Sequence, residues 1–349
     1  MQPMRNRNAY IDVVKGIAII LVVLGHTIQF GSKFHEHPAY FKNPVFMLIY
    51  SFHMPLFMMI SGYLFYHSVC RHPLKHNLKT RITHLFVPVF AWSMVYLMLN
   101  NAYLYWMGKP VYIMEQILHY QDAIWFLWAI FWCSMAVLAI RNLFKDHPMA
   151  YILTGCCFLF IPDILQSSLY SYMYFYFIAG YLWNKYQMPG KFNTLKTGKK
   201  IIGGLACLLL FAILYSQYGL QDYIYTTGNG LLDKHLNWRT QQLQIDLFRY
   251  SIGFAGALAC LFLIKAGMRS AQDRLGKGTM ALLKNVGRKT LGIYIINGYI
   301  NLMQLHLPGK ENYGYGMIIL QTIIITLLSY LITTLLEHNK ITRQIFLGA

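Results

Sequence analysis

Three ionisable residues stand in a stretch otherwise apolar enough to cross a membrane. "YIDVVKGIAIILVVLGHTIQF", residues 10–30, holds Asp12, Lys15 and His26. A neutral imidazole is the usual general base at neutral pH. A cationic side chain is a phosphate ligand. On a helix turning about 100° per residue, the 11 steps from Lys15 to His26 end about 20° past three full turns. The 14 steps from Asp12 to His26 end about 40° short of four turns. All three therefore share one stripe with Ile19 and Val22. A charged stripe facing lipid is costly, so it should face protein or a water-filled cavity. His26 lies about 16 Å above Lys15 along the axis. That separation suits a long anionic donor entering from the cytoplasm with its reactive end deep in the membrane. Two structural alternatives stand beside this reading. Lys15 could snorkel to the interface with Asp12 as its partner, and His26 could be a packing residue bonded to a carbonyl.

The elements that must carry this stripe follow from composition. Of 349 residues, 56% are hydrophobic and only 12% charged, where a soluble domain carries about 25%. The fold class expected is all-α, a polytopic membrane helix bundle forming one domain over residues 1–349. Ten apolar runs can be counted, centred near Leu21, Met58, Ser93, Phe131, Cys156, Phe177, Leu209, Gly256, Ile295 and Ile325. With both termini cytoplasmic, the inner segments hold 22 Lys and Arg and the outer segments 6, as expected for cytoplasmic loops. The first run reads as a retained span. Arg5 and Arg7 suit a signal peptide, but Asp12 and Lys15 interrupt its apolar part.

The net charge of +18 is explained by those cytoplasmic loops, so no nucleic-acid partner is expected. The outer segments hold most acids: Glu36, Glu115, Asp122, Asp163, Asp222, Asp233 and Glu311, with Asp246 at a span edge. The outer loop near 217–244 is rich in Tyr, Gly, Asp and Asn. It suits a polyhydroxylated ligand as well as it suits plain solvent. The six cysteines form no CxxC and read as small apolar residues. "HEH" at 35–37 lacks helical ligand spacing, so no metal is expected.

Further residues with chemistry lie in later runs. His53, in "SFHMPLF", could orient an acceptor or bond the backbone freed by Pro55. Ser61-Gly62 reads as a close helix approach. Arg249 needs a partner in the membrane, and Asp246 three residues earlier is the nearest. Trp125 reads as an interface anchor or a core residue, or else as an acceptor platform. Tyr294 and Asn297, three apart, could line the cavity or pack. Arg81 and His84 stand in a basic entry to the third run.

These segments together resemble the acyltransferase 3 family of integral-membrane acyltransferases, in particular its branch similar to fucose 4-O-acetylases. The carriers are "YIDVVKGIAIILVVLGH" (10–26), "FHMPLFMMISGYLF" (52–65), "KTRITHLFVPV" (79–89), "IWFLWAIFW" (124–132) and "NVGRKTLGIYIIN" (285–297). There are three departures: Lys15 where Arg is common, His84 where a second Arg is common, and Asn297 where His is common. The resemblance implies transfer of an acyl group, usually acetyl, from acetyl-CoA or another acyl-CoA to a hydroxyl of a glycan or lipid-linked sugar. It implies His26 as base with Asp12 and His53 as further catalytic groups, and Lys15, Arg81 and His84 on the CoA donor. Trp125, Tyr294 and Asn297 are then placed on the acceptor. The implied location is the inner (cytoplasmic) membrane. A covalent acyl-histidine and direct transfer in a ternary complex satisfy the same residues. The competing reading is a proton-coupled transporter or glycan flippase, which ten spans with buried Asp, His and Arg also fit.

Overall fold

A computed structural model describes residues 8–110, 113, 116, 124–162, 167–233, 235–274, 276–304 and 309–348. Arg5, Arg7, Glu115, Asp122, Asp163 and Lys234 lie outside these residues. The described chain is helical, with a lone bridge between Leu232 and Trp238 as its one β pairing. The first half comprises α1 (Ala9–Phe30), α2 (Pro44–Tyr50), α3 (His53–Arg71), α4 (Leu74–Arg81), α5 (Val87–Trp106), α6 (Trp125–Leu143) and α7 (Pro148–Phe158). The second half comprises α8 (Ser167–Lys185), α9 (Met188–Thr194), α10 (Thr197–Tyr215), α11 (Gln242–Arg274), α12 (Gly276–Arg288), α13 (Thr290–Gln304), α14 (Tyr315–His338) and α15 (Lys340–Leu347).

Helix starts follow local chemistry. Asn8, Asn43, His147 and Asn339 each accept a bond from a first-turn N–H, and Pro44 and Pro148 fill first-turn positions where no donor is needed. Seven segments are long and apolar enough to cross a membrane: Ala9–Phe30, Pro44–Arg71, Leu74–Trp106, Trp125–Leu143, Thr197–Tyr215, Gln242–Met268 and Tyr315–His338. The expected ten divide accordingly. The runs centred on Cys156, Phe177 and Ile295 fall on α7, α8 and α13, which do not meet that length and apolarity. Helix α7 has 11 residues, about 16 Å of rise against a hydrocarbon core of about 30 Å. Its two ends nevertheless meet different parts of the molecule. Asp146, before it, pairs with Lys185 at the end of α8. The Leu159 carbonyl, after it, accepts from Leu231 N–H of the 217–244 loop at 2.7 Å.

Helices α1 and α3 form the centre and α10 and α14 the rim. The apolar windows of α1 and α3 are 67% and 72% buried, those of α10 and α14 only 17% and 28%. On α10, Leu205, Leu209 and Ile213 point outward, as do Ile319, Ile323 and Leu331 on α14. Apolar tails are as good a solvent for leucine as a protein core, so close packing at the centre depends on small residues. At the α3–α8 crossing, a Cβ on Gly62 would strike the Phe177 carbonyl and one on Gly180 the Met59 carbonyl. This bears out the close approach expected at Ser61-Gly62.

The 217–244 loop, which the sequence places on the outer side, is tied down by the buried Arg249. Its guanidinium donates to the carbonyls of Asp222 and Gly228, both at 2.8 Å, and to Thr227 Oγ1 at 2.6 Å. It also meets Asp246 Oδ1 at 3.3 Å, the partner its spacing suggested.

Candidate active site

The stripe on α1 opens onto a cavity of about 320 Å³. Lys15, Ile19 and Val22 line it, facing Ser61 of α3, Arg81, and Tyr294 of α13. Of the predicted stripe, Lys15, Ile19 and Val22 face the cavity, while Asp12 and His26 are not among its lining residues. Lys15 and Arg81 are its cationic lining residues, and most of the remaining wall is apolar.

Arg81 is placed by an irregular stretch of backbone. Pro88 has no N–H to give the His84 carbonyl, and residues Ile82–Phe86 wind as a π-turn, with Val87 N–H reaching the Ile82 carbonyl. The Arg81 guanidinium carbon lies 4.5 Å from the centre of the Phe65 ring. Its Nε is buried and has no hydrogen-bond partner among the described residues. A sealed, unused guanidinium N–H costs free energy unless an acceptor arrives, so this cation is poised for an anionic ligand. His84 is exposed and is not brought to the cavity; its backbone lies against Gly348 at the C-terminal end.

Asp12 is 3% exposed, and the fold gives it a partner that the charge stripe did not suggest. Arg288 Nε approaches Asp12 Oδ2 at 3.4 Å from the end of α12. The approach is possible because Gly287 stands against the Asp12 carbonyl, where any Cβ would collide. Asp12 thus anchors the N-terminal end of α1 to α12, well away from His26.

His26 sits one turn beyond Val22 on the same stripe, about 6 Å further along the axis. It is half-buried and is not itself among the cavity-lining residues. Its Nδ1 lies 2.7 Å from Asn297 Nδ2, and Asn297 is fully buried. Two arrangements satisfy that contact. In the first, the amide nitrogen donates to Nδ1, which puts the imidazole proton on Nε2 and leaves Asn297 Oδ1 without a partner among the described residues. Turned end for end, Oδ1 accepts from Nδ1–H and the Nε2 lone pair is free to take a proton.

His53 is buried, and its Nδ1–H donates to the Ile49 carbonyl at 2.6 Å, next to the break between α2 and α3. Its ring centre is 4.8 Å from that of Tyr50. Tyr50 packs over Gly25 and stands 6.2 Å from Tyr225 of the outer loop, whose ring is 6.1 Å from Trp125. Trp125 is therefore part of a buried aromatic cluster and not an exposed interface anchor. Tyr294 meets Phe126 at 6.0 Å on the cavity wall.

Sequence reading missed Arg288, Tyr50, Tyr225 and two amides on α13, Asn301 and Gln304. The signal for the amides was available. Residues 290, 294, 297, 301 and 304 recur at three- and four-residue steps, so they share one helix face.

The sequence model described as an acyltransferase domain, that of the acyltransferase 3 family, matches residues 8–338. Among similar proteins is nodulation protein NolL of Sinorhizobium fredii, 26% identical over 301 residues, covering 84% of this chain and 78% of that protein. Nodulation protein NolL of Mesorhizobium japonicum is 27% identical over 307 residues, covering 86% and 78%. No solved structure matches significantly. The chain belongs to the acyltransferase 3 family, and its apolar helices make it a multi-pass membrane protein.

Proposed function

We propose that this member of the acyltransferase family moves an acetyl or similar short acyl group from cytoplasmic acyl-CoA to a hydroxyl of a glycan or lipid-linked sugar, with His26 as general base. The observation that carries this reading is the single cavity that joins Lys15 and Arg81 at one end to within a turn of His26. Lys15 and Arg81 suit the phosphates of the donor, Arg81 through its unpartnered N–H. The apolar wall between them and Val22 suits the thin pantetheine arm, which would bring the thioester towards His26.

A hydroxyl is a weak nucleophile until its proton is taken. In the proposed step His26 Nε2 accepts that proton as the acceptor oxygen bonds to the thioester carbonyl carbon. The carbon–sulfur bond then breaks, and the imidazolium returns the proton to the departing thiolate. Asn297 Oδ1, accepting from Nδ1–H, would hold the ring in the tautomer this needs and stabilise the imidazolium that forms. His53, already bonded to the backbone, acts as a wall of the site in this account. The placement of α7 between the α8 end and the 217–244 loop suits a crossing there; ten crossings, with both termini on the cytoplasmic side of the inner membrane, are part of this proposal.

The test is transfer of labelled acetyl from acetyl-CoA by purified protein in lipid nanodiscs. Arg81→Leu should raise the KM for acetyl-CoA, and an unchanged donor KM would remove Arg81 from the donor site. A pH-gradient-driven flux in proteoliposomes without acyl-CoA would favour transport instead.

A further inference from the structure

The face of α13 that lines the cavity with Thr290 and Tyr294 continues past His26 as a row of amides: Asn297, Asn301 and Gln304. From Asn297 the helix rises about 6 Å to Asn301 and about 10 Å to Gln304. All three residues are buried, Asn301 at 3% and Gln304 at 4% exposure. The Asn301 side-chain Oδ1 is sealed from solvent and has no hydrogen-bond partner among the described residues. Gln304 uses one end of its amide, Nε2 donating to Gln321 Oε1 at 3.1 Å, while its Oε1 is buried and unpartnered. The amide end is pressed against the backbone of α1: a Cβ on Gly31 would lie 2.6 Å from Gln304 Nε2.

We propose that Asn301 and Gln304, continuing the row from Asn297, form the acceptor subsite of the transfer reaction and select a neutral, hydroxyl-rich sugar on the outer side of His26. The inference rests on the acyl-transfer reading for the identity of the reaction. It rests on the amides for the chemistry of the ligand. An unmet buried amide is destabilising, so a row of them on one face is held at the expense of stability. Amides offer both donors and acceptors without charge, which matches hydroxyl groups that do the same. No residue of Thr290–Gln304 carries a formal charge, so this face gives a carboxylate or phosphate of an acidic sugar no cation to offset the cost of burying its charge. Specificity then comes from polar groups left unpaired by the wrong ligand.

Two measurements on the full-length protein in proteoliposomes test this. First, Asn301→Leu and Gln304→Leu should each raise the KM for a neutral methyl hexoside acceptor at least tenfold while leaving the KM for acetyl-CoA within twofold. A rise in donor KM with a flat acceptor KM would overturn the subsite. Second, Gln304→Cys should react with a membrane-impermeant maleimide added outside, above the background of native cysteines. A panel of neutral methyl hexosides should slow that reaction at least threefold, and glucuronate should not. No labelling, or labelling that no sugar slows, means that the amides hold water or are closed off, and the subsite falls. Protection by neutral sugars in a protein that transfers no acetyl group would support the subsite and reject the acyl-transfer reading.

Discussion

Asn297 provides the sharpest test of how His26 is held. Its side chain is fully buried and sits 2.7 Å from Nδ1, so Asn297→Leu removes one buried hydrogen bond and strands the ring nitrogen. The bond is worth about 0.5–1.5 kcal/mol and the stranded group about 1–3 kcal/mol. If the stranded-group cost falls on the transition state, then at about 1.4 kcal/mol per decade kcat should fall roughly 5- to 150-fold. His26→Ala should cost more, about 10²- to 10⁴-fold, the usual worth of a general base. Asn297→Asp keeps an oxygen that accepts from Nδ1–H, so it should retain activity within about tenfold of wild type, provided it folds. The assay is steady-state acetyl transfer, with thermal unfolding in detergent as the check on folding. In the His26→Ala background, Asn297→Leu should add almost nothing, because a positioning residue has nothing left to position. Additive losses would refute the claim that Asn297 acts through His26. An Asn297→Asp variant as impaired as Asn297→Leu, with folding intact, would show that the amide nitrogen is the working group and that Nε2 carries the proton.

Other consequences can be measured directly. Arg249→Leu leaves the 2% exposed carboxylate of Asp246 buried without its guanidinium, and should lower stability by about 3–5 kcal/mol, with the 219–230 segment becoming protease-sensitive. Unchanged proteolysis would mean that the loop is held by other contacts. Gly180→Val puts side-chain atoms on the Met59 carbonyl and should cost at least about 1–3 kcal/mol, seen as lost folded yield, whereas Gly190→Ala meets nothing within 4 Å and should be silent. Burial alone would push the Asp146 carboxyl up, but hydrogen bonds from Tyr151, Lys185 and Tyr181 and the Lys185 charge outweigh it and hold the group below its ordinary value. A lowered native value means stability that is fully present above the ordinary carboxylate range and lost as pH falls through it. The acid-side drop in melting temperature should therefore be smaller in Asp146→Asn than in wild type, and equal drops would assign it elsewhere.

The sequence made the first span legible because a helix repeat is rigid: once Asp12, Lys15, Ile19, Val22 and His26 are placed 100° per step, a shared face is unavoidable. It also made Arg81 and Tyr294 legible, each sitting in a segment with a recognisable pattern. What a sequence hides is which distant face meets that stripe. Arg288 pairs with Asp12 across 276 positions, and the approach depends on Gly287, whose role shows only when the Asp12 carbonyl is placed beside it. Lys15 is therefore not the sole charge to consider near Asp12. The count of crossings was harder still, since α7 and α13 are helices shorter than a bilayer and hydropathy alone does not say what their ends touch. His84 was named because the resemblance places a second cation there, but it stands inside the π-turn Ile82–Phe86 and does not line the cavity, whereas Arg81 just before that turn does.

The most direct measurement compares wild type with His26→Ala, both purified in nanodiscs and given acetyl-CoA labelled on the acetyl group together with a mixture of neutral sugars. The account requires label on a sugar hydroxyl with wild type and a loss of at least a hundredfold with the alanine variant, at equal folded protein. Equal turnover by the two proteins would contradict it.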